Sequence, residues 1–153
     1  MTRTGILLVA MVGIGAGAEQ PPARSAEETA IRATVLDYVQ GWYEGDAGRM
    51  ERALHPELDK RVVRTDATSG KSRLDQMSAM TLVQYTRMGG GKKTPPADRQ
   101  QDVQILDVFE NAASARATMS GWVDYLHLAK VDGQWKIVNV LWELKPKEPA
   151  APK

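Results

Sequence analysis

The spacing of apolar residues changes near Gln101, from a helical period to a period of two, which divides the chain into a helical half and a strand half. In the first half Ile31, Val35, Tyr38, Val39 and Trp42 fall at i, i+4, i+7, i+8 and i+11, one stripe of an amphipathic helix. Ser25-Ala26-Glu27-Glu28 has the form of a capping box at its start, and Gly45 ends it. Asp46 predicts the cap of a second, short helix through Met50, Ala53 and Leu54, stopped by His55-Pro56. Leu58 to Arg64 predicts a short strand. Ser72 with Asp75 repeats the capping pattern, and Leu74, Met77, Thr81, Tyr85 and Met88 predict a third helix running into Gly89-Gly90-Gly91.

Beyond Gln101, Val103, Ile105, Asp107 and Phe109 alternate with Gln104, Leu106 and Val108. After a turn near Asn111-Ala112, Ala113, Ala115, Ala117 and Met119 oppose Ser114, Arg116 and Thr118. Ser120-Gly121 turns the chain into Val123 to Leu144, two alternating runs around Asp132-Gly133, a pair suited to the left-handed twist of a two-residue hairpin. In the first run Asp124, Leu126 and Leu128 share one face, and Tyr125, His127 and Ala129 the other. In the second, Trp135, Ile137 and Leu141 oppose Val138, Val140, Trp142 and Leu144. Apolar on both faces, this run is expected to be an inner strand. The resulting order is helix, short helix, strand, helix and a four-stranded antiparallel meander. It describes an α+β domain with three N-terminal helices packed on one face of a curved antiparallel sheet.

Composition narrows the picture further. With 153 residues, 42% apolar and 25% charged, the chain is long enough for one globular domain with a real core. Basic and acidic residues number 20 and 19, a balance that excludes a general electrostatic grip on nucleic acid or anionic lipid. Residues 1–18 carry Arg3, a short apolar run from Gly5 to Ile14 and the small-x-small pattern Ala16-Gly17-Ala18, the form of an export signal cleaved before Glu19. That run is short of the roughly 20 apolar residues of a spanning helix, so no membrane association is expected after cleavage, and the mature protein is expected in the periplasm or secreted. Residues 19–25, with Pro21-Pro22, read as a flexible leader, 26–144 as the domain, and 145–153, with three prolines, as a disordered tail. There is no cysteine, hence no disulfide framework and no thiolate nucleophile.

Gly45-Asp46 between two helices, Leu54-His55-Pro56, and the closing Asp124-Tyr125-Leu126 and Asp132-Gly133-Gln134-Trp135-Lys136-Ile137-Val138-Asn139 resemble the nuclear-transport-factor-2-like superfamily over about Ala26 to Leu144. Within it the chain most resembles the group described as putative lumazine-binding proteins. The resemblance implies a cone-like domain whose curved sheet and long first helix enclose a pocket, often in a homodimer. Tyr38 stands eight residues before Asp46, the offset at which steroid isomerases of the superfamily carry an oxyanion-binding tyrosine. Their carboxylate base would fall near Arg61-Val62-Val63, where this chain has none. A proton abstraction without a placed base has no mechanism.

Among the individual residues, Asp124 stands out, because a carboxylate in phase with Leu126 and Leu128 must find a partner, shift its pKa or open onto a cavity. It reads either as a ligand anchor or proton carrier, or as a structural carboxylate bound to Tyr38, His55 or an arginine. His55 is either a general base or a helix-end residue bonded to backbone. His127 faces away from Asp124, and the two histidines lack metal-ligand spacing, so neither a metal nor a cofactor is expected. Trp42, Met77, Tyr85 and Trp142 complete the candidate pocket lining with Tyr38, His55 and Asp124, an aromatic and thioether set suited to a flat organic ligand, or else plain core. The expected function is an exported small-molecule-binding domain. The alternative is an isomerase, dehydratase or cyclase using Asp124, His55 and Tyr38 on a polycyclic or polyketide-like substrate. A third possibility is an interaction module working through its sheet face.

Overall fold

The computed structural model describes residues 22–146, so the expected export signal and most of the C-terminal tail lie outside the described residues. The chain runs α1 (Pro22–Glu44), α2 (Ala47–Ala53), β1 (Leu54–Thr65), β2 (Ser72–Ser78), α3 (Ala79–Arg87), β3 (Gln101–Phe109), β4 (Ala112–Met119), β5 (Trp122–Val131) and β6 (Gln134–Leu144), with single 3-10 turns at Gly90–Lys93 and Pro96–Asp98. Three helices lie against one curved, open sheet of strand order β2-β1-β6-β5-β4-β3. All neighbours are antiparallel except β1 and β6, which run parallel, so the sheet is mixed and not purely antiparallel.

The first helix follows its stripe: Ile31, Val35, Tyr38 and Val39 are buried against the sheet. Its start is earlier than the capping box implies. Helix α1 begins at Pro22, which suits a first turn because it lacks an N–H that would go unbonded there, and Ser25 lies within the helix. Residues 22–25, expected in the flexible leader, belong instead to the first turn of α1, and residues 19–21 lie outside the described residues. Gly45 leaves α1 with a positive φ of 67°, and the Asp46 carboxylate accepts from the Arg49 N–H at 3.0 Å, capping α2 as expected.

The helix expected from Ser72 is a correction. Ser72–Ser78 forms strand β2 along the edge beside β1, and only from Ala79 does the chain become helical, with the Ser78 side chain as cap. Two strands are thus present between α2 and α3, where one was expected.

The hairpin turn is borne out: Asp132 and Gly133 both have positive φ, 50° and 77°. Strand β6 is an inner strand, between β1 and β5. Its facing departs from strict alternation, however. Asp124 pairs with Trp142, Leu126 with Val140, His127 with Asn139 and Leu128 with Ile137, so the register slips by one residue at Val138. Along β6 the bulge switches the inward parity from odd positions, Trp135 and Ile137, to even ones, Val140 and Trp142. Trp135 and Ile137, expected to share a face with Leu141, are therefore 4% and 0% exposed, while Leu141 is turned out at 48%. Four small or slim inward side chains of β4, Ala113, Ala115, Ala117 and Met119, let α1 lie close over the sheet.

Candidate functional site

At the end of the core nearest the C-terminus of α1 the side chains do not fill the space. A cavity of about 150 Å3 remains, lined by Tyr38 and Trp42 from α1, Met50 from α2, Lys60 from β1, Met77 from β2, Leu82 from α3, Trp122 from β5 and Trp142 from β6. Tyr38, Met50, Lys60 and Leu82 are buried, whereas Trp42, Met77, Trp122 and Trp142 are half-buried and mark the end that meets the surface. Trp122 meets Trp42 edge to face with centroids 6.0 Å apart, and Trp142 likewise at 6.3 Å, a T-shaped chain of three indoles.

The cavity floor is a closed polar network. Lys60 shares an inward face with Leu58 and Val62, and Asp124 shares one with Leu126 and Leu128. The parallel pairing of β1 with β6 brings these two faces together. The Lys60 ammonium forms an ion pair with Asp124 Oδ1 and donates to the Tyr38 hydroxyl at 2.7 Å. The hydroxyl in turn donates to Asp124 Oδ2 at 2.9 Å, and the Trp122 indole N–H donates to the same oxygen at 3.0 Å. Asp124 is wholly buried and accepts from three donors. Burial pushes the Tyr38 hydroxyl pKa well up, with the Asp124 charge adding to the effect. Burial also draws the Lys60 ammonium down, opposed by its attraction to Asp124.

The structure brings Tyr38, Trp42, Met77 and Trp142 together around the cavity, with Asp124 directly beneath it. His55 is elsewhere. It lies in a shallow groove between α2 and α3 with Leu54, Pro56, Ala79 and Met80, and its Nδ1 accepts from the Glu57 N–H at 3.2 Å. Tyr85 is 47% exposed, because the buried stripe of α3 is Ala79, Leu82 and Thr86 and Tyr85 lies off it. His127 is exposed and bonded to Asn139, as its facing implied. Among the described residues no cluster of His, Cys, Asp and Glu is placed to hold a metal ion, and no helix is long and apolar enough to cross a membrane.

Sequence reasoning missed Lys60 and Trp122, and with them the apolar wall residues Met50 and Leu82. The signal for Lys60 was present: it stands in phase with Leu58 and Val62 just as Asp124 does with its leucines. Two opposite charges, each in phase with apolar neighbours, are a pair waiting for a topology to join them.

Residues 26–143 match the family model described as putative lumazine-binding. A comparison with curated proteins found no match. Among solved structures, a nuclear-transport-factor-2-like protein of unknown function from Shewanella baltica OS155 is similar with a TM-score of 0.62 and 23% identity, over 80% of this chain and 97% of that one. One from Methylobacillus flagellatus KT gives 0.62 and 19% over 79% and 94%, and one from Silicibacter pomeroyi DSS-3 gives 0.61 and 18% over 80% and 98%; both are likewise of unknown function.

Proposed function

Since the chain belongs to the family described as putative lumazine-binding and shares the fold of nuclear-transport-factor-2-like proteins, we propose that it is an exported small-molecule-binding domain whose ligand enters the tryptophan-walled cavity. The observation that carries this reading is a cavity of about 150 Å3 with an almost wholly apolar lining and a polar floor whose one carboxylate is committed to three protein donors. Such a floor orients a ligand and holds still. A general base needs a lone pair within reach of the substrate proton, and the Asp124 carboxylate is walled off by Lys60, Tyr38 and Trp122. With His55 in a separate groove, the geometry weighs against an isomerase or cyclase built on Asp124, His55 and Tyr38.

The test is native mass spectrometry of the protein purified from its own host, beside Leu82→Trp, which fills the cavity. The expected result is an added small-molecule mass on the native chain, absent from the variant. Bare-chain masses for both would sink the reading.

Export rests on the signal pattern of residues 1–18, and N-terminal sequencing of exported material is expected to begin at Glu19. Homodimer formation is proposed on the outer face of the sheet. Tyr125 and Leu141, paired across β5 and β6, are 49% and 48% exposed on the outer sheet face, with Val63 of β1 at 47%, two residues beyond the Arg61 that pairs with Leu141. Light scattering is expected to give twice the chain mass at high micromolar concentration, and monomer mass for Tyr125→Asp. Monomer mass for the native protein would end this proposal.

A further inference from the structure

The cavity floor limits what the ligand can be. Its size is that of apolar cavities in other proteins that take up benzene, about 150 Å3, so one ring fills it. An ammonium has three N–H donors. Two of those on Lys60 are spent on Tyr38 and Asp124, and the third has no acceptor among the described residues, only the Trp142 ring 5.1 Å away. The Tyr38 hydroxyl and the Trp122 N–H both already donate to Asp124. The floor therefore offers a ligand one unspent donor.

Charge sets a second limit. The Lys60 cation is neutralised by a carboxylate in direct contact, so an anionic ligand would meet Asp124 at close range with no uncompensated positive charge to hold it. Polarity sets a third. A pteridine such as lumazine carries carbonyls and ring nitrogens around all of its edge but one C–H side. Inside walls of indole, thioether and leucine most of these would lose water and gain nothing.

We infer that the cavity takes a neutral, single-ring-sized apolar molecule bearing one hydrogen-bond acceptor, presented to the free N–H of Lys60, and that it discriminates against carboxylates and against lumazine itself. The inference rests on the cavity being a ligand site. Cyclohexanone is the probe, with methylenecyclohexane as the same shape without the acceptor, and cyclohexanecarboxylate and lumazine as the disfavoured classes. The readout is the indole N–H region of the 15N–1H spectrum, where Trp42, Trp122 and Trp142 report directly on the cavity.

Cyclohexanone is expected to bind more tightly than cyclohexanecarboxylate or lumazine. Replacing the whole polar floor, Lys60→Met and Asp124→Leu together with Tyr38→Phe and Trp122→Phe so that no donor is released into the cavity, is expected to weaken cyclohexanone about tenfold while methylenecyclohexane holds or gains, a comparison that cancels each probe's own hydration. If that variant does not fold, carbonyl-13C cyclohexanone on the native protein decides. A bound resonance shifted downfield of its position in hydrocarbon solvent supports the hydrogen bond, and one at the hydrocarbon position overturns it. Tighter binding of lumazine or the carboxylate, or equal losses of both cyclic probes in the variant, would overturn the inference and leave the cavity a ligand site. Silence from every probe would remove the ligand-site reading itself.

Discussion

Lys60 and Asp124 stand 64 residues apart in the chain and meet in a place with almost no water, at 6% and 0% exposure. A buried ion pair of this kind gives little net stability, because desolvation offsets most of the attraction, but leaving one member alone is costly. Asp124→Asn puts an amide where three donors converge and strands the ammonium, so denaturant unfolding is expected to show a loss of about 3–5 kcal/mol. Lys60→Met with Asp124→Leu and Tyr38→Phe removes both charges together with the buried hydroxyl that would lose its acceptor, and is expected to recover most of that loss. A change below about 1 kcal/mol for Asp124→Asn would mean that the carboxylate has no demanding partner. At this scale the sequence was half legible. Asp124 is conspicuous because its strand neighbours are leucines and its own face is otherwise apolar. Lys60 is hidden among Asp59, Arg61 and Arg64, where a basic residue looks solvated, and only its two-residue phase with Leu58 and Val62 gives it away.

Among the elements, legibility follows burial. Helix α1 and strand β5 bury a full face and were plain from their periods. Strand β2 is an edge strand with only Asp75 and Met77 partly covered, so its seven residues carry almost no alternation, and Leu74 and Met77 fall by chance at a helical spacing. The bulge at Val138 was also concealed, because β6 is apolar at nearly every position and either parity reads as core. The cavity wall depends on a piece that carries no periodicity, the 3-10 turn Gly90–Lys93. Gly91 lies flat against α1: a Cβ there would stand 2.3 Å from the Trp42 carbonyl oxygen and 2.6 Å from its ring Cδ1. Gly91→Ala must therefore push the turn or Trp42 away, and it is expected to cost about 1–3 kcal/mol and to red-shift the tryptophan emission as the wall loosens. Gly121→Ala is the control, with nothing within 4 Å of the added carbon, and is expected to stay within about 0.5 kcal/mol. Equal effects of the two substitutions would mean that the turn does not brace the wall.

At the scale of the molecule, the α+β class and the order of most elements followed from the change of period at Gln101. The closure of the site did not, because it depends on the parallel pairing of β1 with β6, a contact between chain halves that no local pattern encodes. The buried contact of Tyr38 with Asp124 gives the fold a pH dependence with a definite sign. The chain has four tyrosines, and the Tyr38 hydroxyl pKa is raised well above the ordinary value near 10 by burial and by the Asp124 charge. In the unfolded chain the same hydroxyl ionises near 10, so above that pH the folded state holds a proton that the unfolded state has released. A group raised in this way contributes stability that is complete below about pH 10 and is lost as pH climbs toward the folded value. Two measurements follow. The stability advantage of the native chain over Tyr38→Phe is expected to be constant below about pH 10 and to shrink above it. In an alkaline titration of tyrosinate absorbance, one step is expected to coincide with unfolding, followed by circular dichroism, and to be missing from Tyr38→Phe. Ionisation of all four tyrosines with the circular dichroism intact would show that water and hydroxide reach the cavity floor, and that the network around Asp124 is open in solution.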